Sequence, residues 1–412
     1  MNVAIVVQRF PILSESFIIR MVESLHAEGA SVCIYATESA DTSLLQELAP
    51  KLHHLITRGE VELVSSKFSD APSGIGAKWH SALINLCRSP FFVASLLLRG
   101  IGIRQALQAS SFRRLRGSRQ HDVIHAQFLP MAVAVVSSNF PKRTDFPKVV
   151  SYVRGYDISR RGAVSAQELA LLSGPHGLSS ITCVSQSLAD MVQARGFPPQ
   201  RIEVIHSGIP IEHLPFKLPS ERPKRPIHFI QVGRLVEKKG YDLSLHMLSQ
   251  LGVEDYSFEI IGQGDLNKDL ESLVAQLGLG RHVKFSGALS HSRTIESVAA
   301  ADIMLIPSRQ GSDGDSEGIP NVAKEAMALG VICIGSTHSG IPEIIRDNET
   351  GFLFKEDSLS DYVECTRRAI GAASQWDRIA RSARSLIKRD FEVTGIARKL
   401  LAHYSKHNVS LR

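Results

Sequence analysis

Pro307 to Pro342 reads PSRQGSDGDSEGIPNVAKEAMALGVICIGSTHSGIP, and the fold follows from its punctuation. The run Ile303 to Ile306 just before it is short and continuously apolar, which predicts a buried strand. Pro320 stands where a proline opens a helix, Val322, Ala326 and Leu329 fall on one face, and Gly330 ends it. Strand, loop, helix and strand in that order make one unit of a parallel sheet. Gly318 and Ile319 lie at the helix mouth, where backbone N–H groups and the positive end of the helix dipole favour an anion. Glu317 in the loop and Glu325 in the helix are eight positions apart, so their carboxylates can hold hydroxyls on different parts of one ligand. A phosphate flanked by polyols is a nucleotide sugar. The blander reading makes Glu317 a helix cap and Glu325 a solvated helix residue, and residue types alone leave both open.

Glu317-Gly318-Ile319-Pro320 followed by Glu325-Ala326-Met327-Ala328 resembles the E-x7-E motif of retaining glycosyltransferases of family 4, which have the GT-B fold. The resemblance implies an α/β chain of two Rossmann-like doubly wound domains with an interdomain cleft. It implies a nucleotide sugar as donor, a UDP- or GDP-sugar, with no metal and no other cofactor. Glu325 would then grip the ribose and Glu317 face the donor sugar, with Gly318, Ile319, Pro320 and Asn321 on the donor side.

At 412 residues the chain exceeds one ordinary core and fits two domains of about 200 residues each. With 43% hydrophobic and 21% charged residues it has an ordinary globular composition, and its net charge of +6 is mild. The five cysteines form no C-x-x-C pair, which argues against a disulfide framework or a cysteine-rich metal site and for a reducing cytoplasm. The opening MNVAIVVQRF lacks a basic lead and reads as a first core strand, and no apolar run reaches bilayer-spanning length.

Val3 to Val7, a helical face of Phe17, Ile18, Met21, Val22 and Leu25, and Ser31 to Tyr35 make a βαβ unit. The loop Gln8 to Ser16 lacks G-x-G-x-x-G, which argues against hydride transfer. Its F-P-x-x-S-E-S-F-I wording departs from the paired glycines of the family and resembles the branch that builds bacterial exopolysaccharides such as colanic acid. That places Ser14 and Glu15 on the acceptor side. Asp122 to Phe128 and Val149 to Asp157 each end at the carboxyl edge of a strand, where such folds keep their sites. By resemblance these are the family's H-A-H-F, with His125 kept and Gln127 as a substitute, and its H-G-x-D turn, with Arg154 for the histidine and Asp157 kept. His125 and Arg154 are therefore candidate catalytic residues and Asp157 an acceptor-side one, against a purely structural reading of each.

Between Ala71 and His121 lie eight basic residues and no Asp or Glu, interleaved with Trp79, Phe91, Phe92, Leu96, Leu97 and Leu98. This pattern suits an anionic membrane surface, or equally a core-facing helix pair with a solvated basic face. No RNP, zinc-finger or helix-turn-helix pattern supports nucleic acid. Ser207 to Pro226 holds Pro210, Pro215, Pro219, Pro223 and Pro226. It is expected to link an acceptor-binding domain (1–207) to a nucleotide-sugar domain (227–388), with 208–226 as the linker and 389–412 a helix returning to the first domain.

The second domain restarts at His228 to Val232, and Gly233-Arg234-Leu235-Val236-Glu237-Lys238-Lys239-Gly240 follows. Two cations at a strand end can stabilise the charge gathering on a leaving diphosphate. The segment resembles the family's G-R-x-x-x-x-K-G donor motif, which implies Gly233, Arg234 and Lys239 and leaves Lys238 as a solvated spare. Gly262-Gln263-Gly264-Asp265 is too short for a dinucleotide fingerprint and reads as a tight donor-side turn. Asp313-Gly314-Asp315 invites a metal reading, set aside because it feeds Glu317 in a chain whose other motifs use Arg and Lys.

The expected protein is a retaining hexosyltransferase, cytoplasmic or peripheral on the inner face of the plasma membrane. It would act on a saccharide or lipid-linked acceptor in exopolysaccharide or lipopolysaccharide synthesis. The alternatives are a non-catalytic nucleotide-sugar-binding scaffold subunit and a GT-B sugar-nucleotide epimerase.

Overall fold

A computed structural model describes residues 1–12, 15–38, 43–65, 89–117, 119–141, 145–222 and 226–408. It divides into two compact units, Met1–Gly208 with Val393–Arg412, and Ile209–Glu392. In the first unit, β1 (Asn2–Val7), β2 (Ser31–Ala36), β3 (Val61–Ser65), β4 (Val123–Gln127), β5 (Lys148–Val153), β6 (Ser180–Cys183) and β7 (Ile202–Val204) form one sheet. Its order is β3-β2-β1-β4-β5-β6-β7, and every neighbouring pair is parallel. The second unit repeats the plan with β8 (Ile227–Val232), β9 (Tyr256–Ile261), β10 (Val283–Gly287), β11 (Ile303–Ile306), β12 (Ile332–Ser336) and β13 (Phe352–Phe354). Its order is β10-β9-β8-β11-β12-β13.

Each sheet is wound outward from its first strand and then resumed on that strand's other side. The loops leaving β1 and β4, and those leaving β8 and β11, therefore part at a switch point on the carboxyl edge, where such sheets bind ligands. The short apolar runs are strands because both faces are covered. Ile303 and Leu305 enter one core with Phe229, Phe258 and Phe352, while Met304 and Ile306 enter another with Ile230, Ala323 and Ile341. That alternation is the period of two of a pleated strand.

Helix Asn321–Leu329 begins one residue later than expected, with Pro320 as its N-cap, and ends on Gly330 at φ +82°. Its burial is wider than an amphipathic stripe, since every residue from Ala323 to Leu329 is buried. The expected linker is also different in kind: Ile209, Ile211 and Leu214 are buried in the second unit's core, and Lys217 N–H donates to the Leu329 carbonyl. Its prolines prevent helix and strand without preventing packing. Among the described residues, no helix is long and apolar enough to cross a membrane.

Candidate functional site

In the second unit the loops after β8, β9 and β11 close on one another through backbone. Gly262 sits at φ +144°, and a Cβ there would lie 1.8 Å from the Gly233 carbonyl oxygen. A Cβ on Gly240, at φ +62°, would lie 2.2 Å from the Pro307 carbonyl. These two glycines are needed so that main chain can touch main chain at the switch point. Gly264 packs against Leu235 in the same turn, and Leu235 N–H donates to the Gln263 carbonyl.

Lys239 is carried by a short 3-10 turn, Glu237–Lys239, in the β8 loop, and Glu317 by the long β11 loop. The two meet: Lys239 Nζ is 2.8 Å from Glu317 Oε1 and 2.9 Å from Oε2. Lys238 Nζ is 2.9 Å from Asp315 Oδ2 and 4.0 Å from Glu317 Oε1. Lys238 is only 8% exposed, which corrects its reading as a solvated spare: it is the second cation of the cluster. Burial alone would raise the Glu317 pKa, but Lys239 and Lys238 outweigh it and hold the carboxyl below the usual carboxylate range. Glu317 is thus an anion clamped by a lysine, which corrects its reading as a helix cap. Arg234 is exposed and, among the described residues, forms no ion pair, so its guanidinium is presented outward at the same strand end.

Gly318, Ile319 and Pro320 are buried just before helix Asn321–Leu329, which puts the N-terminus of that helix beside Glu317. Glu325, 6% exposed, is a buried carboxylate and not a solvated one, with His291 Nε2 3.9 Å away. Asp313 and Asp315 serve the loop: the Asp313 carboxylate accepts the Asp315 N–H at 2.9 Å, and Asp315 pairs with Lys238. Three residues brace the same loop, two of them in Thr337 to Glu343, the stretch expected to close the donor side. They are Ser316 and Ser339, which bond to His338 and to the Glu317 carbonyl respectively, and His338 itself.

In the first unit the candidate residues separate. Arg154, at the end of β5, lies over the Phe17 ring at 3.9 Å and the Tyr152 ring at 4.2 Å, and donates to Gln127 Oε1 at 3.2 Å. Burial brings its pKa down to about 10 against the pull of Tyr152, Asp157 and Glu15. Glu15 is half-buried, its carboxyl raised by burial and lowered by the Arg154 charge, so these two belong to one electrostatic group. Ser14 lies outside the described residues.

His125 and Asp157 interact with Arg154 from beneath the surface, and neither is presented to solvent. His125 is fully buried on β4 with Nδ1 bonded to the Tyr404 hydroxyl, and burial, then the Arg154 and His403 charges, push it well below the usual imidazole range. It is a neutral core histidine. Asp157 is also fully buried, its carboxylate accepting N–H groups from Leu129, Arg154 and Gly155 at 3.0 to 3.2 Å. It shapes the Arg154 turn and touches no solvent. Phe128 after β4 has φ +71° and ψ 149°, a conformation costing on the order of 1 to 3 kcal/mol, held by the rings of Phe17 and Tyr156. No residue-type pattern signals it.

Two family descriptions match the chain in succession: Glycosyltransferase Family 4 over residues 14–213 and Glycosyl transferases group 1 over residues 216–385. The chain is 27% identical over 425 residues to a protein of Escherichia coli (strain K12) named for colanic acid biosynthesis, glycosyltransferase WcaL, covering 97% of this chain and 98% of that one. It is 32% identical over 248 residues to the amylovoran biosynthesis glycosyltransferase AmsK of Erwinia amylovora, covering 59% and 60% respectively. The structure is similar to that of Anabaena HepE, solved in complex with UDP, with a TM-score of 0.72 at 18% identity over 98% of this chain and 100% of that one. At that identity the likeness is one of fold.

Proposed function

From a chain that is a glycosyltransferase of the GT-B fold, its halves matching the family 4 and group 1 descriptions in turn, we propose a retaining transfer of a hexose-type sugar. The donor is a UDP- or GDP-sugar, and the acceptor is a hydroxyl of a saccharide or lipid-linked saccharide in exopolysaccharide or lipopolysaccharide synthesis. The observation that carries the reading is the contact of Lys239 with both oxygens of Glu317, at the carboxyl edge shared by β8 and β11. A cation that can take a diphosphate and an anion that can take sugar hydroxyls stand side by side there, and the helix bearing buried Glu325 starts next to them. The resemblance to WcaL and AmsK supports the saccharide class, and the UDP bound to HepE supports the donor class.

In the proposed reaction the anomeric C–O bond to the diphosphate breaks, and a bond forms from the acceptor oxygen to the same face. The acceptor proton passes to the departing phosphate oxygen. Arg234 and Lys239 stabilise the charge gathering on that phosphate. Glu317 is a poor nucleophile, because Lys239 engages both of its oxygens, and it serves as a fixed hydroxyl acceptor. Glu325 takes the ribose, with Gly233, Gly262 and Gly264 letting the donor approach main chain. Glu15 and Arg154 lie on the acceptor side.

Peripheral attachment to an anionic membrane belongs to the same reading. Phe91 and Leu98 are each 89% exposed and Ile103 60%, on the helices Pro90–Leu97 and Ile103–Arg116 and the turn between them. Arg99 and Arg113 flank them, held over the Phe140 and Phe92 rings. Exposed apolar tips ringed by arginine suit the boundary of headgroup and acyl chain.

Thermal denaturation with a panel of UDP-, GDP- and ADP-sugars tests the donor. A ligand at a hundred times its Kd adds about 2.7 kcal/mol. Glu325→Ala is expected to lose that shift for every donor, and a shift that survives in this variant rules out the ribose assignment.

A further inference from the structure

We propose that His338 is a positioning residue for Glu317, acting through Ser316 and Glu356; this rests on the donor-site reading above. His338 follows β12 and is 4% exposed. Its Nδ1 is 2.9 Å from Glu356 Oε1 and its Nε2 is 2.8 Å from Ser316 Oγ. A carboxylate only accepts, so Nδ1 carries the hydrogen, and on the neutral ring Nε2 is left to accept the Ser316 hydroxyl. Ser316, 1% exposed, is the residue before Glu317. The next residue, Ser339, donates its hydroxyl to the Glu317 carbonyl oxygen. The segment at Glu317 is therefore held from two successive residues of the β12 loop, through the Ser316 side chain and the Glu317 carbonyl.

The far end of the chain of bonds is anchored as well. Glu356, after β13, accepts the Gln310 N–H at 2.9 Å and donates its own N–H to Thr337 Oγ1 at 3.1 Å. One imidazole thus joins the loops leaving β11, β12 and β13. The β11 loop has no regular structure between Pro307 and Pro320, and such a segment does not by itself hold a side chain to the half-ångström that a reacting group requires. Lys239 fixes the Glu317 carboxylate at its tip, and His338 holds the residue before it through the Ser316 hydroxyl. Without the imidazole link the anion and its lysine remain but their place beside the sugar is lost. Donor binding also draws on Glu325, Arg234, Lys239 and the helix N-terminus, which the link does not hold, so most of it survives.

The test uses the full chain and the release of nucleoside diphosphate from UDP-glucose and GDP-mannose. Three variants divide the relay: Ser316→Ala removes one oxygen, His338→Asn keeps a donor where Nδ1 sits, and His338→Gln keeps a polar group where Nε2 sits. Ser316→Ala and His338→Asn are expected to lower kcat by about 10- to 100-fold with donor KM within about twofold of wild type. His338→Gln is expected to recover a large part of that loss. An active wild type with Ser316→Ala and His338→Asn at wild-type kcat overturns the positioning role alone, as does a loss that appears wholly in KM. A wild type that no donor stabilises and that turns over neither probe overturns the donor site and this role together. If His338→Asn does not fold, the kcat of Ser316→Ala decides the question in the same way.

Discussion

Replacing Lys239 by Met tests the electrostatic centre of the site, because it removes one charge and leaves the carboxylate opposite with little water. Glu317 and Lys239 side chains are 12% and 16% exposed, and methionine keeps the unbranched stem that packs beside Gly233. Deleting one partner of a buried pair costs about 3 to 5 kcal/mol. Lys238, 4.0 Å from Glu317 Oε1, takes up part of the deficit, so the expected loss is about 3 kcal/mol. For a domain of this size that is a fall of about 6 to 12 °C in melting temperature. The sign of the pH dependence follows from the two Glu317 states. In the wild type its folded pKa is depressed, so its stabilisation is present above the unfolded carboxyl range of about pH 4.3 and is lost as pH falls through the folded value. In the variant burial dominates and the folded pKa rises, so wild type and variant converge as pH drops from about 7 towards about 4. Scanning calorimetry at both pH values measures this, with Lys239→Met/Glu317→Gln closing a double-mutant cycle. The double variant is expected to recover at least half of the loss. A melting point within about 1 °C of wild type, or a double variant costing the sum of the singles, would refute the clamped-anion account.

Two further outcomes are expected. Gly262→Ala forces a methyl to 1.8 Å from the Gly233 carbonyl, so the β8 and β9 loops separate; calorimetry should show a lower melting point, and a variant as stable as wild type contradicts the close packing. Replacing Phe91 and Leu98 by Ser, or Arg99 and Arg113 by Gln, should each reduce sedimentation with anionic vesicles, and sedimentation equal to wild type in both removes the membrane proposal.

Most strands were legible because parallel strands declare themselves as short apolar runs between glycine and proline, but β3 was not, and the strand orders that set the two switch points came from the structure. Glu317 and Lys239 were legible as residues converging on one sugar, but not as a direct ion pair, since they lie on loops far apart in the chain. Burial of polar groups was not legible. Lys238, Lys324 and Glu325 occupy positions that a helical wheel or a charge count assigns to solvent, yet surrounding helices and loops enclose them. His125 and Asp157 misled in the opposite direction: their motif positions suggest chemistry, while strand β4 and the Arg154 turn place both beneath the surface. His338 needed three loops to be seen at once.

The two units share one strand order and differ in what stands at their switch points, and that difference assigns their tasks. The edge of the second unit is made of glycines through which main chain contacts main chain, with lysines, buried carboxylates and a helix N-terminus converging on it. Such an edge suits a ligand carrying concentrated negative charge and many hydroxyls. The edge of the first unit is aromatic: Phe17 and Tyr152 flank a single guanidinium that is already stacked and hydrogen-bonded, and Phe128 packs on Phe17. One guanidinium between rings offers a diphosphate less charge than the paired lysines of the second unit, and the partly exposed Phe17 ring beside it suits the face of a neutral sugar. In the proposed reading the charged donor therefore lies on the second unit, where its diphosphate would share Lys239 with Glu317 and meet Arg234 and the helix N-terminus, and the acceptor lies on the first.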